Sequence, residues 1–415
     1  LGLTLTMLMS QMYRNLFSTP RQKLQSLIDR GQASIRLILA PPRTGSTLIE
    51  TLLFQNNGIQ VSCHEPFVML GYYGEDSEDG YRRLIEAIEK NKSEINTPIT
   101  LLVKEMSHWL EAKREFKRLL PLVSDPVLFL IRNPLLTMES RMKKVLQVWG
   151  MKEKQALIDW LRLSSFSVEE HSKRNNLELQ HRMLDKFAQS HNIRDWESLL
   201  KKQFAGQDYR MFGELLKIGN LFPLESAGWE GLRNEMEYLR KEKRKYMIVD
   251  GTEFRLSPEY FYRAICREWG LSDSEQKINW DGRLEGVNIR MDKPHYRLWY
   301  DTLLNGGGVK PPTEIAAPLG KFPKKIAQYL KEVAIPIYIK AFRSESRVAG
   351  ETSGMNGDEE RLRKIDPYVS ALLNPELLHA ERVSVNEEHI ETWRFWKDLV
   401  LASPAGETYF GGRKK

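Results

Sequence analysis

Short continuous apolar runs recur along the chain, each followed by a stretch whose apolar residues fall three or four positions apart. The runs are Ile35–Leu39, Ile59–Cys63, Ile99–Val103, Val127–Ile131 and Tyr246–Val249. Runs this short fit strands covered on both faces, and the 3.6-residue periodicity between them fits helices. Strand and helix in alternation predict an α/β fold, a mostly parallel sheet with helices on both faces. Ligands in such folds bind beyond the carboxyl ends of the strands. Arg43, Glu65, Lys104, Arg132 and Asp250 all follow predicted strand ends, so they share that edge.

The pattern changes after residue 150. Residues 151–239 read as helical, rich in Arg, Lys, Glu and Gln, and carry Trp160, Phe166, Trp196, Tyr209, Phe212 and Trp229. They form an expected helical insertion that caps a pocket, although most of these aromatics suit plain helix packing. Strand and helix signals then return. Tyr246–Gly270 reads as strand, acidic turn and amphipathic helix, with Ser257 placed to cap it, Pro258 at its first position and Gly270 closing it. Residues 344–360 (SESRVAGETSGMNGDEE) have the small, polar composition of a linker. The expected organisation is an α/β domain over 1–343, that linker, and a helical extension over 361–415 bearing Trp393 and Trp396.

Composition narrows the class. The chain has 415 residues, 41% hydrophobic, with a mean hydropathy of −0.47. No apolar run reaches the ~20 residues that span a bilayer. Leu1–Met9 is apolar but lacks a basic stretch before it and an A-x-A site after it, so it does not read as a secretory leader. Met7 and Met9 are candidate initiators. Two cysteines, Cys63 and Cys266, make no disulfide framework, which fits a reducing cytoplasm. Cys63-His64-Glu65 lacks the further ligands of a metal site, so no metal is expected. The net charge of +7, from 62 basic and 55 acidic residues, is modest. Arg240–Lys245 is interrupted by Glu242 and reads as a solvated helix face rather than a nucleic-acid patch. No partner is expected beyond a small molecule, neither nucleic acid nor membrane, and nothing sets an oligomeric state.

The candidate chemistry starts at Ile35–Leu53 (IRLILAPPRTGSTLIETLL). An apolar strand breaks at Pro41-Pro42, and a helix follows Gly45. Strand, small-residue loop and helix make a phosphate cradle, because helix-start N–H groups and the helix dipole both favour an anion. Gly45 lets the backbone approach, and the hydroxyls of Thr44, Ser46 and Thr47 offer donors. The Walker pattern G-x-x-x-x-G-K-[ST] is not met. Ala40 stands at the first glycine and Ser46 at the lysine, while the cation, Arg43, sits two residues before Gly45.

The motif P-R-T-G-S-T resembles the 5′-phosphosulfate loop, P-[KR]-[ST]-G-[ST]-[ST], of the sulfotransferases that use 3′-phosphoadenosine 5′-phosphosulfate (PAPS). Asp125–Lys144 (DPVLFLIRNPLLTMESRMKK) is similar to a second element of that family, an apolar strand, then an arginine, then a serine eight residues on. Those two hold the donor's 3′-phosphate in the family, and Arg132 and Ser140 match. A guanidinium can grip phosphate with two parallel hydrogen bonds, and a serine adds a neutral donor. Arg141, next along the helix, reads as surface. Leu101–Leu110 (LLVKEMSHWL) is similar to the family's V-K-[DET]-x-x-H segment, and His295–Pro311 loosely matches an aromatic and glycine-rich stretch near the donor. The likeness covers pieces from about Ile35 to Lys310.

The resemblance implies sulfuryl transfer from PAPS to a hydroxyl or amine of a small molecule, with secondary metabolites among the candidate acceptors and adenosine 3′,5′-bisphosphate as product. Arg43 and Lys104 would counter charge on the departing 5′-phosphate, and a base would take the acceptor proton. His108 and Glu65 are the candidates. The family's cytosolic members place the histidine two residues after the lysine, where this chain has Met106, and His108 comes four after. Glu65, in S-C-H-E-P-F, follows the second strand and could act as base if burial raised its pKa. Two other readings compete, a P-loop kinase with a degenerate loop and a non-catalytic nucleotide-binding protein.

Overall fold

A computed structural model describes residues 18–67, 77–92, 98–112, 114–150, 185–213, 224–273, 300, 303, 306–313, 315–348, 366–373 and 387–402. Leu1–Met9, Trp160, Phe166, residues 349–360 of the expected linker and residues 361–365 of the expected extension lie outside them.

Five strands form one parallel sheet: β1 (Ala33–Ala40), β2 (Val61–His64), β3 (Ile99–Met106), β4 (Val127–Ile131) and β5 (Tyr246–Asp250). Their order across the sheet is β2-β3-β1-β4-β5. All five coincide with the apolar runs of the sequence. The boundaries differ most at β3, which continues through Lys104, Glu105 and Met106, so Lys104 lies inside the strand rather than past its end. It stands beside Ile38 of β1 on one side and His64 of β2 on the other.

Alternate side chains face opposite cores. Ile35, Leu37 and Leu39 of β1 join the main core, while Ile38 and Ala40 join a second one. In β4, Val127, Phe129 and Ile131 face the main core and Leu128 and Leu130 the second. Burial on both faces explains why these runs are continuous rather than alternating.

Helices α1 (Ser46–Phe54), α2 (Ser107–Ala112), α3 (Pro134–Gly150), α4 (Trp229–Lys241), α5 (Gly251–Leu256) and α6 (Pro258–Trp269) surround the sheet. They are followed by α7 (Ile335–Phe342), α8 (Pro367–Leu373) and α9 (Ile390–Ala402). Ile49, Leu52 and Leu53 of α1 pack into the second core, whereas Leu135, Leu136, Met138 and Met142 of α3 pack into the main one. The chain leaving β1 and the chain leaving β4 therefore depart to opposite faces, although the two strands are neighbours. That divergence opens a crevice at their carboxyl ends, the place where open parallel sheets bind ligands.

Tyr368, Val369, Leu372, Trp393, Trp396 and Val400, from the region expected as a separate extension, belong to the main core. Trp396 is wholly buried, with its ring centroid 5.1 Å from that of Tyr368. Tyr209, Phe212 and Trp229 of the expected cap are likewise core side chains. Ser257 stands before α6 but makes no side-chain cap, while Gly270 closes that helix in the left-handed region. No helix among the described residues is long and apolar enough to cross a membrane.

Candidate functional site

The loop after β1 has the form of an anion cradle. Gly45 precedes α1 at φ 97°, a conformation open to glycine and costly for other residues, and no side chain caps the helix. The first-turn N–H groups of a helix lack intrahelical partners, so those of α1 face the cavity mouth as donors. Thr44 departs from expectation, since its hydroxyl donates to the Pro41 carbonyl at 3.1 Å and braces the loop. Gly251, the first residue of α5, closes against the loop's underside. A Cβ there would sit 2.1 Å from the Thr44 carbonyl oxygen.

Arg43 is also left-handed, at φ 70°. Its Nε donates to Ser140 Oγ at 3.0 Å, across 97 residues of sequence. The bond joins the two stretches singled out as phosphate-binding. It uses a lone pair of Ser140, which leaves the serine's O–H as a donor.

A cavity of about 600 Å³ opens here, lined by Arg43, Thr44, Gly45, Ser46 and Thr47 of the loop and by Arg132 and Ser140 from β4 and α3. Seven basic side chains line it: Arg43, Arg132, Arg141, Lys143, Lys144, Arg255 and Lys310. Among the described residues only two acids do, Glu65 and Glu139. Glu139 is fully engaged, by Tyr209 Oη at 2.6 Å, Lys143 Nζ at 2.8 Å and the Ala317 N–H at 3.1 Å. The wall is thus strongly cationic in a protein of modest net charge, which suits a polyanion. Arg141 corrects the sequence reading. It lines the cavity, because the wall wraps more than one face of α3, and it donates to Ser226 Oγ.

Of the expected insertion, Gln207 reaches the cavity rather than an aromatic residue. The glycine-rich stretch contributes Tyr300, Leu303, Gly308 and Lys310, with Arg255 holding it through the Lys310 carbonyl at 2.9 Å. Sequence reasoning passed over Arg255, which carries no motif. Asp250 ends β5 but acts as a cap, accepting from the Thr252 and Glu253 N–H groups and from Tyr338 Oη.

At the β2 and β3 ends the expected catalytic groups meet, though not as expected. Lys104 is wholly buried and does not line the cavity; its ammonium donates to Glu65. Glu65, left-handed at φ 48°, does line it. Burial pushes its pKa up, but the Lys104 ammonium and His64 outweigh that and hold it below the ordinary carboxylate range. The rise that would make Glu65 a base is therefore missing. His108 lines the cavity with both ring nitrogens buried and without hydrogen-bond partners. Burial first, then the charges of Arg141 and Lys104, hold its imidazole well below the usual value, so it is neutral and weakly basic.

Beside them lies a group that the sequence did not single out. Glu50 of α1 is wholly buried and accepts from Ser62 Oγ at 2.8 Å. Its other oxygen is 2.6 Å from His64 Nδ1, and His64 Nε2 is 2.7 Å from Tyr300 Oη and 3.4 Å from Glu65. The signal was a carboxylate in the apolar helix L-I-E-T-L-L, where burial demands a partner.

Both cysteines are free and buried; burial pushes the Cys63 thiol up to about 12 and the Cys266 thiol up to about 11. Among the described residues, no three His, Cys, Asp or Glu side chains converge as a metal site.

Buried acids, Glu105 and Asp366 among them, make stability depend on pH. Burial, then the Glu65 charge, raises Glu105 to about 8, and burial raises Asp366 to about 6. Both lie above their unfolded values of about 4. Their contribution is therefore complete below about pH 4 and is lost as pH rises through about 6 and then about 8. Urea unfolding is expected to show stability falling by a few kcal/mol over that range. Glu105→Gln is expected to flatten the upper part of the decline.

No protein-family model, curated protein or solved structure matches the chain.

Proposed function

We propose that the chain is a sulfotransferase that moves a sulfuryl group from PAPS to a hydroxyl or amine of a small molecule. The observation that carries this reading is the 3.0 Å bond from Arg43 to Ser140, in one cavity with Arg132. Two anion grips far apart in sequence converge, as a donor with phosphates at both its 3′ and 5′ positions requires.

In this reading the N–H groups of Ser46 and Thr47 and the Arg43 guanidinium hold the 5′-phosphosulfate, and Arg132 with the Ser140 hydroxyl holds the 3′-phosphate. Sulfuryl transfer makes the demands of phosphoryl transfer: in-line attack, fixed reactants, and positive charge where negative charge gathers on the leaving phosphate. Arg43 supplies that charge. Lys104 acts one step removed, by neutralising and fixing Glu65.

The kinase alternative is weakened by the acids of the wall. Magnesium needs free carboxylate oxygens. Glu65 is occupied by Lys104, and Glu139 by Tyr209, Lys143, Gln207 and the Ala317 N–H.

The test is incubation with PAPS and panels of phenols, alcohols and amines, read by mass spectrometry for the gain of one sulfuryl group. The proposal expects a product and a stoichiometric amount of adenosine 3′,5′-bisphosphate. Phosphate transfer from ATP with none from PAPS would overturn it. Glu65→Gln is expected to lower thermal stability more than turnover, because it leaves the buried Lys104 ammonium without its counter-charge, a loss of about 3–5 kcal/mol.

A further inference from the structure

Neither Glu65 nor His108 is set up to take a proton, but an adjoining chain of hydrogen bonds is. Glu50 Oε2 and His64 Nδ1 are 2.6 Å apart, and His64 Nε2 and Tyr300 Oη are 2.7 Å apart. Tyr300 lines the cavity, while His64 and Glu50 lie behind it. Glu50 is wholly buried with its second oxygen on Ser62.

A neutral His64 ring sets the direction of the bonds. A buried carboxylate beside Nδ1 accepts, so Nδ1 carries the proton in the neutral ring and Nε2 presents its lone pair. Tyr300 must then donate its O–H to Nε2, which turns a phenol lone pair outward. A carboxylate behind an imidazole holds the tautomer and stabilises the cation that forms when Nε2 gains a proton.

We infer that Tyr300 is the catalytic residue that takes the acceptor's proton and relays its own to His64 Nε2, with Glu50 as the positioning residue of the pair. The inference rests on the sulfuryl-transfer reading for the reaction it serves. The acceptor hydroxyl donates to Tyr300 Oη. As its oxygen bonds to sulfur, its proton passes to Tyr300 while the phenol's own proton passes to His64 Nε2. The bond from sulfur to the 5′-phosphate oxygen breaks, and the bisphosphate leaves with that electron pair. The imidazolium rests against Glu50 until it returns its proton to solvent through the same phenol. Tyr300 keeps its hydroxyl throughout, so no group is consumed.

The placement also accounts for His64 Nε2 lying only 3.4 Å from Glu65. An ionised Glu65 adds a second negative charge beside the imidazolium without itself taking the proton. The other charged groups facing His64 are Glu50 and, through Glu65, Lys104.

The test compares Tyr300→Phe and Glu50→Gln with the wild-type chain, using PAPS and unsubstituted phenol, whose hydroxyl stays protonated at neutral pH. Tyr300→Phe keeps the ring and is expected to lower kcat by about 100-fold or more, the scale of a lost general base. Its affinity for adenosine 3′,5′-bisphosphate should stay within about twofold. Glu50→Gln keeps the packing and is expected to move the acid limb of the pH–rate profile to lower pH, which a purely structural role would not do. A wild-type kcat in Tyr300→Phe, or an unmoved acid limb in Glu50→Gln, would overturn the assignment. If wild-type protein sulfates nothing, the reaction reading itself fails and the hydrogen-bonded chain is judged by ¹⁵N NMR of the histidines. There Tyr300→Phe must move one Nε2 resonance. An unmoved spectrum would overturn the chain as well.

Discussion

Arg132→Ala is expected to weaken binding of adenosine 3′,5′-bisphosphate by about 2–3 kcal/mol, roughly 30- to 150-fold, with little change in the acceptor KM. The argument is positional. Arg132 directly follows β4, is almost wholly buried, and lines the cavity beside the Arg43–Ser140 pair. The loop around it is held by its neighbour. Asn133 accepts from the Leu135 N–H at 3.0 Å to start α3, and donates to both oxygens of Asp366 at 3.0 Å. Removing the guanidinium therefore leaves these bonds at the start of α3 in place, and in the proposed reading it takes away a phosphate ligand. Calorimetric titration of the variant with the bisphosphate, beside acceptor kinetics, measures the split. Equal losses on both sides would mean that Arg132 does not hold the 3′-phosphate.

Gly251→Ala is expected to damage both the fold and the site, and more severely than Gly45→Ala. A Cβ on Gly251 would lie 2.1 Å from the Thr44 carbonyl oxygen, a backbone atom that cannot move without the loop. Overpacking of this kind costs about 1–3 kcal/mol or more, and the relief available is displacement of the segment that bears Arg43. A Cβ on Gly45 meets nothing within 4 Å, but its φ of 97° puts an alanine in a strained region. That strain costs about 1–2 kcal/mol with the loop left in place. Both should lower the midpoint of urea unfolding, and only Gly251→Ala should also abolish most of the bisphosphate affinity. Retained affinity in Gly251→Ala would show that the loop tolerates the shift.

The strands and the form of the loop after β1 were legible in sequence because each depends on local pattern. Val127–Ile131 is apolar at every position since both faces are buried, and its bounds match those read from sequence. The left-handed Gly45 and the helix start after it follow from one small-residue motif. What escaped depends on groups that meet only when folded. Lys104 and Glu105 look like a strand end, yet both lie in β3, since Glu65 balances one and the Phe67 and Met106 N–H groups satisfy the other. Arg141 looked like surface because a helix presents it away from Ser140, and only the surrounding wall makes it a cavity residue. His64 carries no signal of its role in sequence, because its partners Glu50 and Tyr300 stand 14 and 236 residues away. The tryptophans of the last helix gave no sign of their place until Tyr368 and Tyr338 packed against Trp396.

The central claim is that the cavity holds an adenosine carrying phosphates at both its 3′ and 5′ positions, without a metal. Isothermal titration of the chain with adenosine 3′,5′-bisphosphate in a chelating buffer, beside ATP with excess magnesium, tests it most directly. The account predicts saturable binding of the bisphosphate in the chelator, tighter than Mg-ATP and weakening as salt screens the cationic wall. Mg-ATP binding more tightly than the bisphosphate would contradict it.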